Sequence, residues 1–300
     1  MDLVLLFGTG FYFCFVVLIF SGLLFRKKLN NIDNNLPKVS VVIAARNEEK
    51  NIPFIIDDLI NQSIDKNNFE IIISNDRSDD KTGEIIDQYS SNHKFINAIH
   101  ISKRHSMAPK KYALTQAIES SKGEIIIATD ADCRASNNWV ENMARVVQTT
   151  GKIVIGYSKI KSSSTLIGEY QKIDFLGIMA ANGGLLTHGI SCSGSGQNLA
   201  FKKEDFYAIN GFEPVKKYIS GDDMYLVQAM SLLNGAVFNY DPNSFVSTLP
   251  KKSIKSYLNQ RIRWSSNSKF TLKHNPIFFV FLVSAFFANL CILYSLIFYS

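Results

Sequence analysis

Two acidic residues stand one position apart, directly after a short apolar run in the middle of the sequence. They are Asp130 and Asp132, and the run before them is 124–129. Two carboxylates this close repel each other unless a cation neutralises them. A hard divalent ion such as Mg²⁺ or Mn²⁺, holding the diphosphate of a substrate, accounts for this pair better than helix capping, the alternative role of Asp at such positions.

A second acidic pair, Asp222 and Asp223, follows Gly221 and precedes apolar residues at helical spacing. One interpretation is that the pair caps the start of an amphipathic helix. The other is that one carboxylate, held at a helix N-terminus, acts as a general base. The pattern of residue types leaves both interpretations open.

The third candidate group is Gln260, Arg263 and Trp264, which share one face of a helix because they stand at positions i, i+3 and i+4. An amide, a guanidinium and an indole can together clamp a diphosphate and stack on a ring. The group lies in a basic stretch at 251–273. That stretch also fits an interfacial helix, whose Lys and Arg contact anionic lipid while Trp lies at headgroup depth.

The central part of the sequence alternates apolar strands with amphipathic helices. The predicted strands are 39–44, 70–74, 95–101, 124–129 and 153–160, and the predicted helices are 48–61, 82–90, 108–121 and 138–149. This alternation predicts an α/β fold with a mostly parallel sheet covered on both faces. The polar residues at 45–49, 75–80 and 130–132 are then expected to meet at one edge of the sheet, where such folds bind ligands.

The composition excludes several classes of protein. The 300 residues are 46% hydrophobic and 19% charged, with 17 Gly, 4 Cys and a net charge of +6. These values exclude a disordered chain, a collagen-like chain and a disulfide scaffold. The positive charge does not predict a nucleic-acid partner, because the basic residues cluster beside the apolar ends, where placement at membrane lipid explains them.

Two uncharged apolar segments, 3–25 and 277–299, are long enough to span a bilayer. A basic cluster at 26–28 follows the first, and Lys269, Lys273 and His274 precede the second. Because positive charge marks the cytoplasmic flank, we expect an integral protein of a plasma or bacterial inner membrane, with the domain between the two segments in the cytoplasm. A cleaved signal peptide fits the first segment less well, since it needs basic residues before a shorter apolar core.

These segments divide the sequence into four parts. We expect a transmembrane anchor with its basic flank at 1–28, the α/β domain at 29–250, an interfacial basic segment that contains Gln260, Arg263 and Trp264 at 251–275, and a transmembrane helix at 276–300. The apolar stretch 173–186 has two interpretations. It is either a core helix that ends at Gly183 and Gly184, or a segment that shapes an acceptor site or touches lipid.

Several short motifs occur in an order that resembles the membrane-bound kind of family 2 glycosyltransferase. The resemblance runs from about Pro37 to Trp264, and the QxxRW motif formed by Gln260, Arg263 and Trp264 is its most specific part. The other matching motifs are Arg46-Asn47-Glu48, Asn75-Asp76-Arg77-Ser78, Lys110 with Ala113-Leu114, Gly123-Glu124-Ile125-Ile126, Asp130-Ala131-Asp132, Gly196-Gln197-Asn198-Leu199-Ala200-Phe201, Gly211-Phe212 and Gly221-Asp222-Asp223. The chain departs from the family at Asp222, where Glu is frequent.

The resemblance implies a GT-A fold and an inverting sugar transfer from a nucleotide sugar, with UDP the favoured nucleotide. It implies that Asp223 is the general base, with Asp222 as its acidic neighbour, and that Asp132 and Asp130 bind Mg²⁺ or Mn²⁺. The residues implied in binding the nucleotide sugar are Asp76, at the nucleobase, and Glu48, Lys110, Asp130, Gln260 and Arg263. The residues implied in binding the acceptor, a membrane lipid or a polysaccharide, are Trp264, Gly196 and Asn198.

Three functions remain open at this point, and the oligomeric state is open as well. The first is a single sugar transfer to a membrane lipid or glycan. The second is processive polysaccharide synthesis, for which two spans are too few unless the native chain is longer or forms oligomers. The third, a catalytically inactive membrane scaffold, is disfavoured because the acidic residues and Arg263 are intact.

Overall fold

The computed structural model describes residues 2–26, 35–266, 272 and 275–298. Its strands are Val39–Ala45 (β1), Phe69–Asp76 (β2), Ile96–Ile101 (β3), Ile125–Asp130 (β4), Cys133–Ala135 (β5), Ile153–Gly156 (β6), Ser158–Ile160 (β7), Leu199–Lys202 (β8), Ala236–Asn239 (β9) and Val246–Thr248 (β10). Its helices are Asp2–Leu24 (α1), Ile52–Ile60 (α2), Thr82–Asn92 (α3), Pro109–Ser120 (α4), Trp139–Thr150 (α5), Leu166–Thr187 (α6), Lys203–Ala208 (α7), Asp222–Asn234 (α8), Ile254–Ser265 (α9) and Pro276–Phe298 (α10). Short 3-10 turns lie at Lys66–Asn68, Glu213–Val215 and Pro242–Ser244.

The central element is a seven-stranded sheet in the order β3-β2-β1-β4-β8-β6-β9. Neighbouring strands are parallel except at β8, which is antiparallel to both β4 and β6. A smaller three-stranded sheet has the order β5-β10-β7. The predicted α/β architecture with a mostly parallel sheet is confirmed, and the strand ends that carry the polar residues meet at one edge.

The apolar runs form strands because helices cover both faces of the sheet. In β1, Val41 and Ile43 belong to one hydrophobic cluster and Val42 belongs to the other. The first cluster includes residues of α2 and α5, and the second includes residues of α4 and α8. A strand that is buried on both faces reads as a continuous apolar run, which is the pattern the sequence shows.

Two predicted boundaries were wrong, for local reasons. The predicted strand 153–160 is interrupted at Tyr157, so that β6 joins the large sheet and β7 joins the small one. The helix predicted from residue 48 begins at Ile52, because the loop before it is bonded to the loop after β2. The Glu48 amide donates to Thr82 Oγ1 at 2.8 Å, and the Asp79 amide donates to Asn47 Oδ1 at 2.9 Å.

The terminal helices are apolar and pack beside the α/β domain. Within α10, residues Pro276–Ser295 are long and apolar enough to cross a membrane, with a mean hydropathy of 2.4, and α1 has a shorter apolar part at Thr9–Leu24. Both helices fit the predicted flanking membrane helices. Of the basic residues predicted to flank them, Lys27, Lys28, Lys269, Lys273 and His274 lie outside the described residues.

Helix α6 crosses α1 at two glycines. A side chain on Gly22 would collide with the backbone of Gly184, and a side chain on Gly184 would collide with the backbone of Ile19. One interpretation of the sequence was a core helix that ends at Gly183 and Gly184. Helix α6 instead continues past them to Thr187. The small residues let the two helix backbones approach closely, as they do in membrane helix pairs.

Candidate active site

Most of the predicted site residues line one cavity of about 500 Å³ at the edge where the parallel strands end. They are Lys110, Asp130, Asp132, Gly196, Asp222, Asp223, Gln260, Arg263 and Trp264. They come from the end of β4, the first turns of α4 and α8, the loop before β8, and α9. The fold thus brings together groups that are distant in sequence.

Lys110 connects the two acidic pairs. Its Nζ atom lies 2.8 Å from Asp130 Oδ1 and 3.4 Å from Asp222 Oδ2. Burial opposes its charge, but the carboxylates of Asp130 and Asp222 raise the pKa of Lys110 well above its usual value. The side chain therefore stays a cation. It holds Asp130, at the end of β4, and Asp222, at the start of α8, at a fixed separation.

The two carboxylates at the start of α8, Asp222 and Asp223, differ in their pKa values. Burial alone would raise the pKa of Asp222, but the charges of Lys110 and Lys111 hold it below its usual value. Burial, and then the negative charge of Asp222, raises the pKa of Asp223 to about 6. A pair of carboxylates whose pKa values are pushed apart is a common arrangement for acid–base work near neutral pH.

Backbone groups orient Asp223. Its Oδ2 atom accepts a hydrogen bond from the Gly196 amide at 3.1 Å, and its Oδ1 atom accepts one from the Met224 amide at 2.8 Å. Gly221, at φ 79°, makes the left-handed turn that starts the helix, a conformation that favours glycine. The local backbone therefore aims the Asp223 carboxylate into the cavity.

The other acidic pair fits a divalent ion that also takes oxygen ligands from its substrate. Asp130 is the last residue of β4, and Asp132 lies two positions further on. Burial and the charge of Asp130 raise the pKa of Asp132, and Lys251 Nζ is 4.0 Å from its Oδ2. Among the described residues no group of three or more His, Cys, Asp or Glu could hold a metal. Mg²⁺ is usually held by one or two carboxylates, and oxygens of phosphate and water complete its coordination.

Asp76 lies outside this cavity, in a neighbouring pocket of about 260 Å³. Arg77 donates to both Asp76 oxygens, at 2.7 and 3.1 Å. In the same pocket His105 and Tyr112 stack with their ring centres 4.1 Å apart. A carboxylate beside flat rings suits a nucleobase. His105 and Tyr112 were not predicted, because they come from an irregular loop and a helix with no recognisable spacing.

Two further predicted residues also lie away from the cavity wall. Glu48 is half-buried, accepts a hydrogen bond from Asn51 Nδ2 at 2.7 Å, and has its pKa raised by burial and by the nearby charge of Asp132. Asn198, predicted at the acceptor, is completely buried. Its Oδ1 accepts from Trp139 Nε1, and its Nδ2 donates to two backbone carbonyls. This placement gives Asn198 a structural role, because all of its polar atoms are used within the protein.

The sequence did not reveal a cluster that joins α9 to α6. Arg261 forms an ion pair with Asp174, and Tyr257 donates to Asp174 Oδ2 at 2.9 Å. The Arg261 guanidinium also lies over the Trp264 ring, 4.6 Å from its centre. Asp174, Arg261 and Trp264 all line the cavity. The contact partner of Arg261 is on another helix, so no spacing within the QxxRW segment indicates it.

We expect Asp174→Asn to lower kcat/KM for transfer by roughly 10- to 100-fold, because the side chains of α9 would lose their fixed position at the cavity. Steady-state kinetics with saturating donor measures this effect. Glu169→Gln on the same helix, which weakens the exposed pair with Lys172, is the matched control and should change kcat/KM by less than about twofold. Equal effects of the two substitutions would contradict a positioning role for Asp174.

Part of the cavity lining is apolar. Phe175 and Met179 of α6 and Phe278, Phe281 and Leu282 of α10 belong to it, and we call these five side chains the apolar end of the cavity. Trp264 also lines the cavity, and its ring centre lies 6.5 Å from that of Phe175. One cavity therefore has both charged and apolar lining residues.

The comparisons with known proteins agree with this fold. The profile described as "Glycosyl transferase family 2" matches residues 40–209, more than half of the chain. The chain therefore belongs to glycosyl transferase family 2. Among solved structures, a mannosyltransferase from Pyrobaculum calidifontis in complex with GDP-Man and Mn²⁺ has a TM-score of 0.71 at 16% identity, covering 99% of this chain and 87% of that one. This likeness shows the GT-A fold.

The curated relatives bear the names of different enzymes. The chain is 26% identical to "Probable glycosyltransferase YdaM" of Bacillus subtilis (79% of this chain, 56% of that protein). It is 24% identical to a poly-beta-1,6-N-acetyl-D-glucosamine synthase of Staphylococcus epidermidis (86% and 60%). It is 23% identical to a Methanococcus voltae enzyme that acts on dolichyl N-acetyl-alpha-D-glucosaminyl phosphate (76% and 72%). The chain thus spans little more than half the length of the first two.

Proposed function

We propose that this protein is an inverting glycosyltransferase that moves a sugar from a UDP-sugar to a lipid or glycan acceptor at a membrane. The observation that carries the proposal is the continuity of one cavity, which joins an acidic cluster suited to sugar transfer to an apolar wall formed partly by α10. The family includes both polysaccharide synthases and lipid-linked glycosyltransferases among the relatives of this chain. The sequence motifs support the assignment of roles within the cavity.

In the proposed reaction an acceptor hydroxyl attacks the anomeric carbon from the face opposite the nucleoside diphosphate. The new bond joins the acceptor oxygen to the anomeric carbon, and the bond from that carbon to the diphosphate oxygen breaks. Asp223 takes the proton of the hydroxyl. Asp222, ionised and paired with Lys110 at 3.4 Å, keeps negative charge beside Asp223 and so raises its proton affinity.

Cations of the cavity would bind the donor. Lys110 contacts both acidic pairs, and Arg263 and Gln260 also line the cavity, where both can bind diphosphate oxygens. Asp132 and Asp130 would hold a divalent ion, Mg²⁺ or Mn²⁺, which when bound offsets the negative charge of the diphosphate. In the neighbouring pocket Asp76 would bind the nucleobase, and Glu48, which is close enough to Asp132 to feel its charge, would contribute to donor binding.

Exposed apolar residues support placement at a membrane. On α9, Ile254, Leu258 and Ile262 stand at i, i+4 and i+8 and are 63, 51 and 68% exposed. On α6, Ile173 and Leu176 are likewise exposed. Such stripes beside a helix of membrane-spanning length fit an interfacial segment, which would place the catalytic domain on the cytoplasmic surface of the bilayer.

We expect kcat to fall as the pH drops below about 6, because Asp223 must be ionised to accept the proton and its pKa is raised to about 6. The charged groups near it are Asp222, which raises this pKa, and Lys110, which lowers it. A profile of kcat against pH at saturating donor and acceptor measures the midpoint. A midpoint at a pH of about 4, where an ordinary aspartate titrates, would contradict the assignment of Asp223 as the base.

The test of the proposed function is donor turnover by the full chain in detergent. A panel of nucleotide sugars is screened with Mn²⁺ or Mg²⁺, with and without total membrane lipid, and the products are analysed by mass. Lipid that carries one added sugar is the expected result, and it identifies both substrates. A ladder of sugars would favour the second candidate, processive synthesis, which the synthase relative supports. The absence of turnover with every donor would contradict both.

A further inference from the structure

The apolar end of the cavity contains one polar side chain that the proposed reaction does not use. Asn182 of α6 lines the cavity, yet only 3% of it is exposed. Its Nδ2 atom is buried and has no hydrogen-bond partner among the described residues. Buried amide groups normally have partners, so a bound molecule with an acceptor oxygen at this position would complete the site.

The surroundings of Asn182 indicate what kind of molecule this is. The same helix face presents Phe175 and Met179 to the cavity, and α10 presents Phe278 and Phe281. Since α10 is long enough to cross a membrane, an apolar chain lying against these residues can continue directly into a bilayer. The occupant of this end is therefore a lipid rather than a water-soluble glycan.

The charges of the cavity distinguish between lipid head groups. Its described wall carries the carboxylates of Asp130, Asp132, Asp174, Asp222 and Asp223 and the cations of Lys110, Lys251, Arg261 and Arg263. Three of the cations already lie within 4.0 Å of a carboxylate, and the proposed function assigns Arg263 to the donor diphosphate. A phosphate-bearing acceptor would meet an acidic lining whose described cations are either paired with carboxylates or assigned to the donor, and close like charges are repulsive.

We infer that the acceptor is a lipid with an uncharged, hydroxyl-bearing head, of the diacylglycerol or neutral glycolipid type. Its chains lie between α6 and α10, an ester or ether oxygen accepts a hydrogen bond from Asn182 Nδ2, and its hydroxyl faces Asp223. The chemical step is the one proposed above, so that the hydroxyl proton passes to Asp223 and the nucleoside diphosphate leaves. The inference rests on the proposed function and specifies its acceptor.

The experiment uses the full chain in phosphatidylcholine vesicles that contain dioleoylglycerol, a polyprenyl phosphate or no added lipid. The donor is the nucleotide sugar identified by the screen, and release of nucleoside diphosphate is measured alongside glycosylated lipid. We expect sugar to appear on dioleoylglycerol. Transfer to the polyprenyl phosphate in preference, or release of nucleoside diphosphate with no glycosylated lipid, would overturn the inference while leaving donor use intact. No release under any condition would instead refute the proposed function.

Two variants test the role of Asn182 itself. Asn182→Leu keeps the size of the side chain but removes its amide, and we expect kcat/KM for dioleoylglycerol to fall about tenfold, mainly through KM, at unchanged donor affinity. Asn92→Leu makes the same change at an exposed position at the end of α3 and should behave as the unmodified protein. Unchanged kcat/KM in Asn182→Leu would overturn the inference. Donor affinity measured by calorimetry distinguishes loss of folding from loss of acceptor binding.

Discussion

Asp223→Asn is expected to lower kcat by about 10²- to 10⁴-fold while leaving the affinity for the nucleotide sugar nearly unchanged. The substitution keeps the shape of the side chain and an oxygen that can accept from the Gly196 amide, now 3.1 Å from Asp223 Oδ2. It removes the ability to take a proton from the acceptor. Single-turnover kinetics gives the rate, and calorimetry gives the donor affinity.

The matched control for this substitution is Asp65→Asn. Asp65 accepts from the Asn67 amide at 2.9 Å and precedes β2, so it lies at the edge of the sheet opposite the cavity. It should retain the turnover of the unmodified protein. The residual activity of Asp223→Asn should also no longer rise through a pH of about 6, the pKa assigned to Asp223. Near-normal turnover in Asp223→Asn would remove this residue as the general base.

The second large effect concerns donor binding. Asp132→Ala is expected to weaken metal-dependent binding of the nucleotide sugar by about 100-fold or more, because even the outer partners of a metal ligand contribute 10- to 100-fold. Binding by the unmodified protein should weaken when Mg²⁺ or Mn²⁺ is chelated. Binding by the variant should be weak with or without the ion. Titration calorimetry in the presence and absence of each ion measures both.

Asp87→Ala is the control for Asp132→Ala. Asp87 is exposed and pairs with His100 of the edge strand β3 at 2.8 Å, so the change removes the same charge without touching the cavity. It should bind donor normally and respond normally to chelation. If the donor affinity of Asp132→Ala equals that of the control under both conditions, the metal assignment is wrong.

The strands that are buried on both faces could be predicted from the sequence, because each appears as an unbroken apolar run. This holds for β1, β2 and β4, whose ends carry the residues that the motifs indicate. By contrast β8, β9 and β10 each have three or four residues. Such short strands depend on their neighbours for their conformation, and no local pattern predicts them. The insertion of β8 antiparallel to β4 was therefore missed.

The candidate site could be predicted where chemistry imposes spacing and not where it depends on tertiary contact. Asp130 and Asp132 follow a strand, and Asp222 and Asp223 start a helix, so local sequence identifies them. Asn182 lies in the middle of α6, in a segment that reads as apolar. Its burial beside α10 depends on how three helices meet, which no local pattern encodes. For the same reason the sequence did not indicate that Asn198, which lies within a matching motif, is completely buried.

The crossing of α1 and α6 fixes the position of α6, and with it part of the cavity lining, relative to α1. The backbones of α1 and α6 lie so close at Gly22 and Gly184 that a side chain at either position would collide with the opposite helix. A slide of one helix along the other would bring residues with side chains to this crossing. The two helices therefore keep their relative position while they remain in contact. Helix α6 also carries Asp174 and Asn182 at the cavity. If α1 is embedded as proposed, the depth at which it settles determines how far Asp223 stands above the lipid. A thicker or thinner membrane then changes which acceptor hydroxyls can reach the base, with no change in any residue of the site.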